Sequence, residues 1–540
     1  MTVAHSRHAA FPLAMVLALL MTACAPAATG PAASPSAGDS PRKGGTFVGV
    51  VTGDPQTGNR DTNTDLNTFY AFSPVFSSLV RVDATRTASP ELAESWTISP
   101  DEKTYTFKLR KNAKFHDGSP VTSADVKFTA EEVAGKYQAQ AISIFKNVER
   151  IDTPDDYTVV FVLKQPVAIF QLALGQQVMV ILPKKIYQGS DPRTNAANNA
   201  PIGSGPFKFK EWVKGDHITL VRNDDYYIPG LPYLDQVIYR IIPDAGSRTV
   251  AFQKGDIDFL PGQYVAREQA KDLASVPGVQ IDDHSGPPGQ ELLFFNLTKK
   301  PLDDVKVRTA IVMALDQKAF VERAFFGSGA KVATSHIEID LGAYHSPNVK
   351  FPAFDVAKAN QALDDAGYKK GSDGIRFKLR IMYSPGNDSD RRSAELVRDQ
   401  MVAVGISVQS TPLDQAVIAK QVFTDADFDL FNASVTSNND PELGKSRHYV
   451  SGTIGASYGN GSRYRNAEVD QLFAQGAATS NVDRRKDAYW KVQEILAKDL
   501  PTFPLVDYNN IDHARPEVRG FGATPLGFPY HRMDNVWRTK

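Results

Sequence analysis

Phe377-Lys-Leu-Arg-Ile-Met382, Ser393 to Val404, Ile406-Ser-Val408, Leu413 to Val422 and Phe428-Asp-Leu-Phe-Asn-Ala433 follow one another with short breaks. The first, third and fifth pieces are short and rich in bulky apolar residues, and they read as strands. The second and fourth repeat apolar residues at helical spacing. Strands that alternate with helices predict βαβ units, a parallel sheet and an α/β fold. In open sheets of this kind ligands sit beyond the carboxyl ends of the strands, where loops and helix N-termini present free backbone groups. The loops so placed are Tyr383-Ser-Pro-Gly-Asn-Asp388 and Thr436-Ser437-Asn438-Asn439-Asp440-Pro441. Ser, Asn, Asp and Pro form turns whatever their role, so the pattern admits a binding rim and a solvated turn equally.

Working outward, Asp355 caps a helix with Val356, Ala359, Leu363 and Ala366 inward and Gly367 at its stop. Asp303 caps another, carrying Val307, Ala310, Ile311 and Ala314. On the C-terminal side a long helix covers Asp483–Lys498, with Tyr489, Val492, Ile495 and Leu496 on one face. The N-terminal part is strand-rich. Tyr105, Phe107 and Leu109 alternate with polar residues, and a second candidate strand runs over Tyr157, Val159, Phe161 and Leu163. Two more strands flank Gly215-Asp216, and Thr122-Ser-Ala-Asp125 is a helix start. No internal repeat is present.

With 540 residues the chain exceeds what one hydrophobic core supports, and 42% apolar residues exclude a mostly disordered protein. Lys plus Arg number 60 against 61 Asp plus Glu, so there is no basic footprint and nucleic acid is not an expected partner. The single cysteine, Cys24, excludes an intrachain disulfide and a thiolate metal cluster. A cationic start, the apolar run Ala9–Leu20 and Thr22-Ala23-Cys24 describe an export signal over residues 1–23, too short for a membrane span. Thr22-Ala23-Cys24 resembles a bacterial lipobox, with Met21 where that motif prefers Leu; the resemblance implies a lipid on Cys24. Residues 24–43 are rich in Ala, Pro, Ser and Gly and read as a flexible tether, reaching about 25 Å as a coil.

Pro90-Glu-Leu-Ala-Glu-Ser-Trp96, Tyr105-Thr-Phe107, Phe115-His-Asp-Gly118, Gly203-Ser-Gly-Pro-Phe207, Gly255-Asp-Ile-Asp258, Val307-Arg308-Thr-Ala310, Ala366-Gly-Tyr368, Arg485 and Leu500-Pro501 occur in an order that resembles family 5 of the bacterial extracellular solute-binding proteins, receptors of ABC importers. The resemblance runs from about Lys43 to the C-terminus. It implies a periplasmic-binding-protein-like class II fold, two lobes with a hinge plus an inserted extra domain. Domain I would take residues 44–83, 203–290 and 500–540, domain II 84–202, and domain III 291–499. Crossings near Phe294-Phe295-Asn296 and Pro501–Asp507 would form the hinge. The implied partners are a small-molecule ligand, peptide-like first, and the transmembrane subunits of an ABC permease. The protein would act as a monomer on the outer face of the membrane, held by the lipid on Cys24, with no cofactor and no catalysis.

The resemblance also defines an absence. Peptide-binding relatives place an Asp four residues before the Pro of the Asn439-Asp440-Pro441 loop, for the ligand's ammonium; here that residue is Ser437. Dipeptide binders place an Arg after the strand Phe377–Met382 for the carboxylate; here Ser384 stands there. Losing a buried charge partner costs several kcal/mol for a charged ligand. A blocked, modified or less charged ligand is therefore expected, touching Tyr383, Ser384, Ser437, Asn438, Asn439 and Asp440, with Arg447 free for an anionic group. An oligosaccharide, opine or metal chelate is the alternative, and Tyr383, Tyr449 and Tyr458 are available for stacking. Gly455-Ala-Ser457-Tyr-Gly459 matches the nucleophile-elbow pattern of serine hydrolases, but glycine-rich sequence flanks it where a strand and a helix are required. His336 and His345 share a loop without a metal-ligand spacing.

Overall fold

Two antiparallel strands, Gln280–Phe295 and Thr502–Ala514, organise the computed structural model, which describes residues 40–63, 65–83, 87–520 and 533–539. The export signal, Cys24 and the tether up to residue 39 lie outside the described residues. Among the described residues no helix is long and apolar enough to cross a membrane.

One end of the strand pair, where Gln280 faces Ala514, belongs to a core built from Phe47, Tyr70, Phe72, Phe207, Tyr239 and Phe252. That core gathers residues from distant parts of the chain, including Val518, Met533 and Val536 near the C-terminus. Its sheet is Thr46–Val51, Gln236–Ile241, His217–Arg222 and Phe207–Val213, in that order. A second core, with Phe107, Phe161 and Phe170, packs on the antiparallel sheet Ala93–Ile98, Thr104–Leu109, Thr158–Leu163 and Val148–Asp155. Alternation puts Tyr105, Phe107 and Leu109 inside, as the sequence predicts.

The other end of the strand pair, where Phe294 faces Thr502, enters the α/β lobe. Its sheet runs Phe259–Leu260, Thr502–Ala514, Gln280–Phe295, Leu430–Thr436, Phe377–Tyr383, Ile406–Pro412, with Ala330–Val332 paired to Thr502–Ala514 off this path. The alternating pattern predicts a parallel sheet, and only part of it is parallel: Phe377–Tyr383 runs parallel to both Ile406–Pro412 and Leu430–Thr436. The long strands add antiparallel pairs because they pass between cores and are not joined by crossover helices.

Local chemistry sets the boundaries. Asn387 accepts from the amides of Ser389 and Asp390, so the helix Asp388–Met401 starts five residues before the expected Ser393. Asp304, not Asp303, caps Val305–Met313. Asp355 caps Val356–Asp365 as expected, and Gly367 follows with φ +89°, a left-handed stop that a side chain would strain. Thr122 and Asp125 form a reciprocal capping box. The residues expected at the hinge, Phe295 and Phe503 among them, lie within the α/β core. The register slips between Asp282 and Ser285 and again before Gly289, and this irregular stretch lies between the cores.

Candidate functional site

Both loops singled out in the sequence lie at the carboxyl ends of the central strands, but their side chains divide between structural work and open positions. Tyr383 ends its strand and is buried, its carbonyl accepting from the Leu413 amide at 3.0 Å. Ser384 is buried too, and its hydroxyl accepts from Gln415 Nε2 at 3.1 Å. Gln415 Oε1 in turn accepts from the Tyr458 hydroxyl at 2.8 Å. Tyr458 is exposed, has a left-handed backbone and packs on Phe423 at 5.2 Å between ring centroids. A chain Ser384–Gln415–Tyr458 therefore edges the sheet. Gln415 has no sequence signature and was not foreseen.

Ser437 is fully buried, and its amide and hydroxyl both donate to the Pro288 carbonyl, at 3.1 and 3.2 Å. Asn438 and Asn439 follow in consecutive left-handed conformations, which Asn tolerates best among residues with a side chain. Asn439 is buried, and its amide nitrogen meets no hydrogen-bond acceptor among the described residues. Asp440 caps Pro441–Gly444 and receives Arg485 Nη2 at 2.8 Å. Arg485 spends its other donors on Gly476 O, the Tyr344 hydroxyl and the Tyr489 hydroxyl. Burial would pull its pKa down, but Asp440 holds it above the ordinary value. Glu442, desolvated and beside Asp440, is pushed up to about 7.

Arg447 is exposed, yet packed closely enough for desolvation to lower its pKa, and it forms no ion pair among the described residues. Its Nε meets His448 Nε2 at 3.3 Å. Deeper in the lobe, Lys445 Nζ lies 2.7 Å from Glu338 Oε1 and 3.0 Å from Gln290 Oε1, and Gln290 donates to Asp507 at 2.7 Å. All four are buried, so one cation serves two carboxyl groups. Burial raises Glu338, and it pushes Asp507 up to about 7. Gln290 and Asp507 sit on the two long strands, so this network ties the strand pair to the helix after the Ser437 loop. Nothing in the sequence spacing signals it.

A cavity of about 410 Å³ opens between the second core and the α/β lobe. Ala168, Gln171 and Leu172 form one wall, and Leu341, Tyr344 and Arg485 stand on the other. Arg485 thus connects the cavity wall to Asp440 of the expected loop. Ser457 is exposed on a loop, with no strand before it or helix after it to make an elbow. His336 is buried with Nε2 against the Thr502 carbonyl, and His345 meets Ile337 O at 2.7 Å and Thr334 Oγ1 at 3.1 Å.

Known proteins resemble this chain over most of its length. The chain is 29% identical to the oligopeptide-binding protein AppA of Bacillus subtilis strain 168, with 97% of each chain covered. The solved structure of AppA from Bacillus subtilis in complex with a nonapeptide superposes with a TM-score of 0.74 at 28% identity, covering 93% of this chain and 100% of that one. The ABC transporter substrate-binding protein CtaP from Listeria monocytogenes gives a TM-score of 0.80 at 26% identity, covering 92% and 100%. Residues 87–457 match the model of the bacterial extracellular solute-binding proteins, family 5 (middle region). The chain belongs to that family.

Proposed function

We propose that this chain is the substrate-capturing component of an ABC importer and that it takes a peptide or peptide-like solute between its lobes. The observation that carries the reading is the pair of strands running from one core into the α/β lobe, with a cavity between lobes beside them. Two crossing strands with an irregular middle allow the lobes to rock, and a ligand that binds the closed form better stabilises it by that difference. The likeness to an oligopeptide-binding protein, one solved with a nonapeptide, favours a peptide. On this reading domain I comprises 44–83, 203–290 and 500–540, domain II 84–202 and domain III 291–499, with Leu500, Phe503, Leu505 and Val506 packed in the core of domain III. Cys24 carries the lipid that holds a monomeric receptor to the membrane, and the protein catalyses no reaction.

The expected ligand contacts are Tyr383, Ser384, Ser437, Asn438, Asn439, Asp440 and Arg447; Ser437 and Asp440 are held by Pro288 and Arg485, which leaves Asn438 and Arg447 as the more open of the set. At the two positions where charged anchors are expected, neutral serines stand with their hydroxyls engaged. Asp440 is neutralised by Arg485. Arg447, without an ion pair among the described residues, is suited to an anionic ligand group. A free zwitterionic dipeptide lacks its usual partners here, and a blocked or modified peptide fits better.

A thermal-shift screen over peptides, sugars, opines and chelates tests the receptor reading. A ligand present at 100 times its Kd adds about 2.7 kcal/mol of stability. A broad screen in which no peptide shifts the melting point would refute peptide capture. Calorimetry with a free dipeptide tests the anchor argument separately, and micromolar binding would overturn it.

A further inference from the structure

The corner joining helix Ala467–Ala477 to helix Val482–Asp499 belongs to the α/β lobe, yet its exposed backbone groups are satisfied from the second core. The Ala477 carbonyl, one of the terminal acceptors that a helix leaves without an internal partner, accepts from the Ala168 amide at 3.0 Å. The Ser480 amide donates to Glu102 Oε2 at 2.9 Å, and the Thr479 hydroxyl lies 3.5 Å from Glu102 Oε1. Asn481 caps the second helix by accepting from Arg484 N at 3.0 Å. Glu102 thus brings a carboxylate to the positive end of an 18-residue helix, where negative charge is favoured. It is held there by a tight turn between Ala93–Ile98 and Thr104–Leu109 in which its own φ is +55°, a conformation uncommon outside glycine. Ala168 and Ser480 also line the interlobe cavity, so the corner forms part of its wall.

We propose that this corner is a latch: Glu102 and the Ala168 amide receive it when the lobes close, and Glu102 is a positioning residue for closure that lies outside the residues proposed to touch the ligand. A carboxylate accepting from a backbone amide is stronger than a neutral acceptor and is weakened by salt. The closed form is then favoured in the empty protein, and release of a captured solute requires the corner to separate from the second core.

The proposal rests on the reading of the chain as a hinged receptor, but its test needs no ligand, so the two can fail separately. With Cys24 replaced by Ala the chain has no cysteine, and Glu149→Cys with Lys491→Cys gives one spin label on each side of the corner. Interlobe distances measured in the empty protein should show a short population. Glu102→Gln should lower the ratio of short to long distances about five-fold, Glu102→Asp should restore at least half of the loss, and Glu94→Gln should change nothing. About 1 M salt should reproduce the Glu102→Gln shift in the parent and add little in the variant. Superimposable distributions for parent and Glu102→Gln would overturn the latch, as would a parent without a short population.

Discussion

Replacing Lys445 by Met isolates the electrostatics of the network beneath the Ser437 loop. Lys445 and Glu338 have no exposed surface and meet at 2.7 Å. Asp507 shares the same cation through Gln290. Removing one partner of a buried pair strands the other and costs about 3–5 kcal/mol. For a chain of this size the unfolding entropy is roughly 1 kcal/mol per degree, so the melting point should fall by about 3–5 °C. The loss depends on pH with a definite sign. Burial raises both carboxyls, Asp507 to about 7, so between the unfolded value and that pH the native state holds more protons than the unfolded chain. Stability therefore falls as pH rises through this window. Without Lys445 the two acids rise further. The deficit of Lys445→Met should be small at about pH 5, where protonated carboxyls need no cation, and full at about pH 8. Adding Glu338→Gln removes the stranded charge and should recover at least half of the loss at about pH 8. Urea unfolding of the parent and both variants at the two pH values measures this. A deficit equal at both, or no recovery in the double variant, would refute the reasoning.

Two further substitutions probe the same loop. A methyl group on Gly444 would run into the backbone of Thr436 and Ser437, so Gly444→Ala should cost about 1–3 kcal/mol in urea unfolding; a loss below about 0.5 would show that the loop yields freely. Arg485→Met strips Asp440 of its guanidinium and Tyr344 and Tyr489 of a donor, and should cost about 3–5 kcal/mol, while Arg485→Met with Asp440→Asn should regain part of it. An unchanged denaturation midpoint in the single variant would mean the pair carries no structural weight.

The α/β lobe was readable because its strands and helices carry their own periodicity. Tyr489, Val492 and Leu496 are buried on one face of Val482–Asp499 as their spacing requires, and the alternation at Tyr105, Phe107 and Leu109 survives in the folded sheet. Boundaries were less legible where a polar residue decides them. Asn387 has no apolar pattern around it, so the helix it caps was read as beginning five residues late. The long strands were hidden for another reason. Gln280–Phe295 contains Gly286, Pro287, Pro288 and Gly289, which read locally as a turn, and only pairing with Thr502–Ala514 makes the segment a strand. The crossing is expected at the apolar run Phe294-Phe295, and both residues are buried, Phe295 with Phe503 and Phe294 with Phe431.

The loops at the strand ends show how far composition reaches toward a site. Short polar residues marked Ser437–Asp440, but composition does not say which of them face a ligand. Burial and partners sort them: Ser437 against Pro288 and Asp440 against Arg485 are committed to the protein, while Arg447 is exposed and makes no ion pair among the described residues. Restoring a carboxylate at position 437 would not by itself recreate an ammonium site, because that position is backed by Gly444 and roofed by the Pro288 carbonyl. An Asp there would have to desolvate a charge with no cation within the loop, and its pKa would rise until it was neutral. The proposed preference for a ligand without a free ammonium thus follows from the packing of Pro288, Ser437 and Gly444 together rather than from the identity of one residue. Engineering zwitterion binding into this chain would require moving the strand segment around Pro288 as well as changing Ser437.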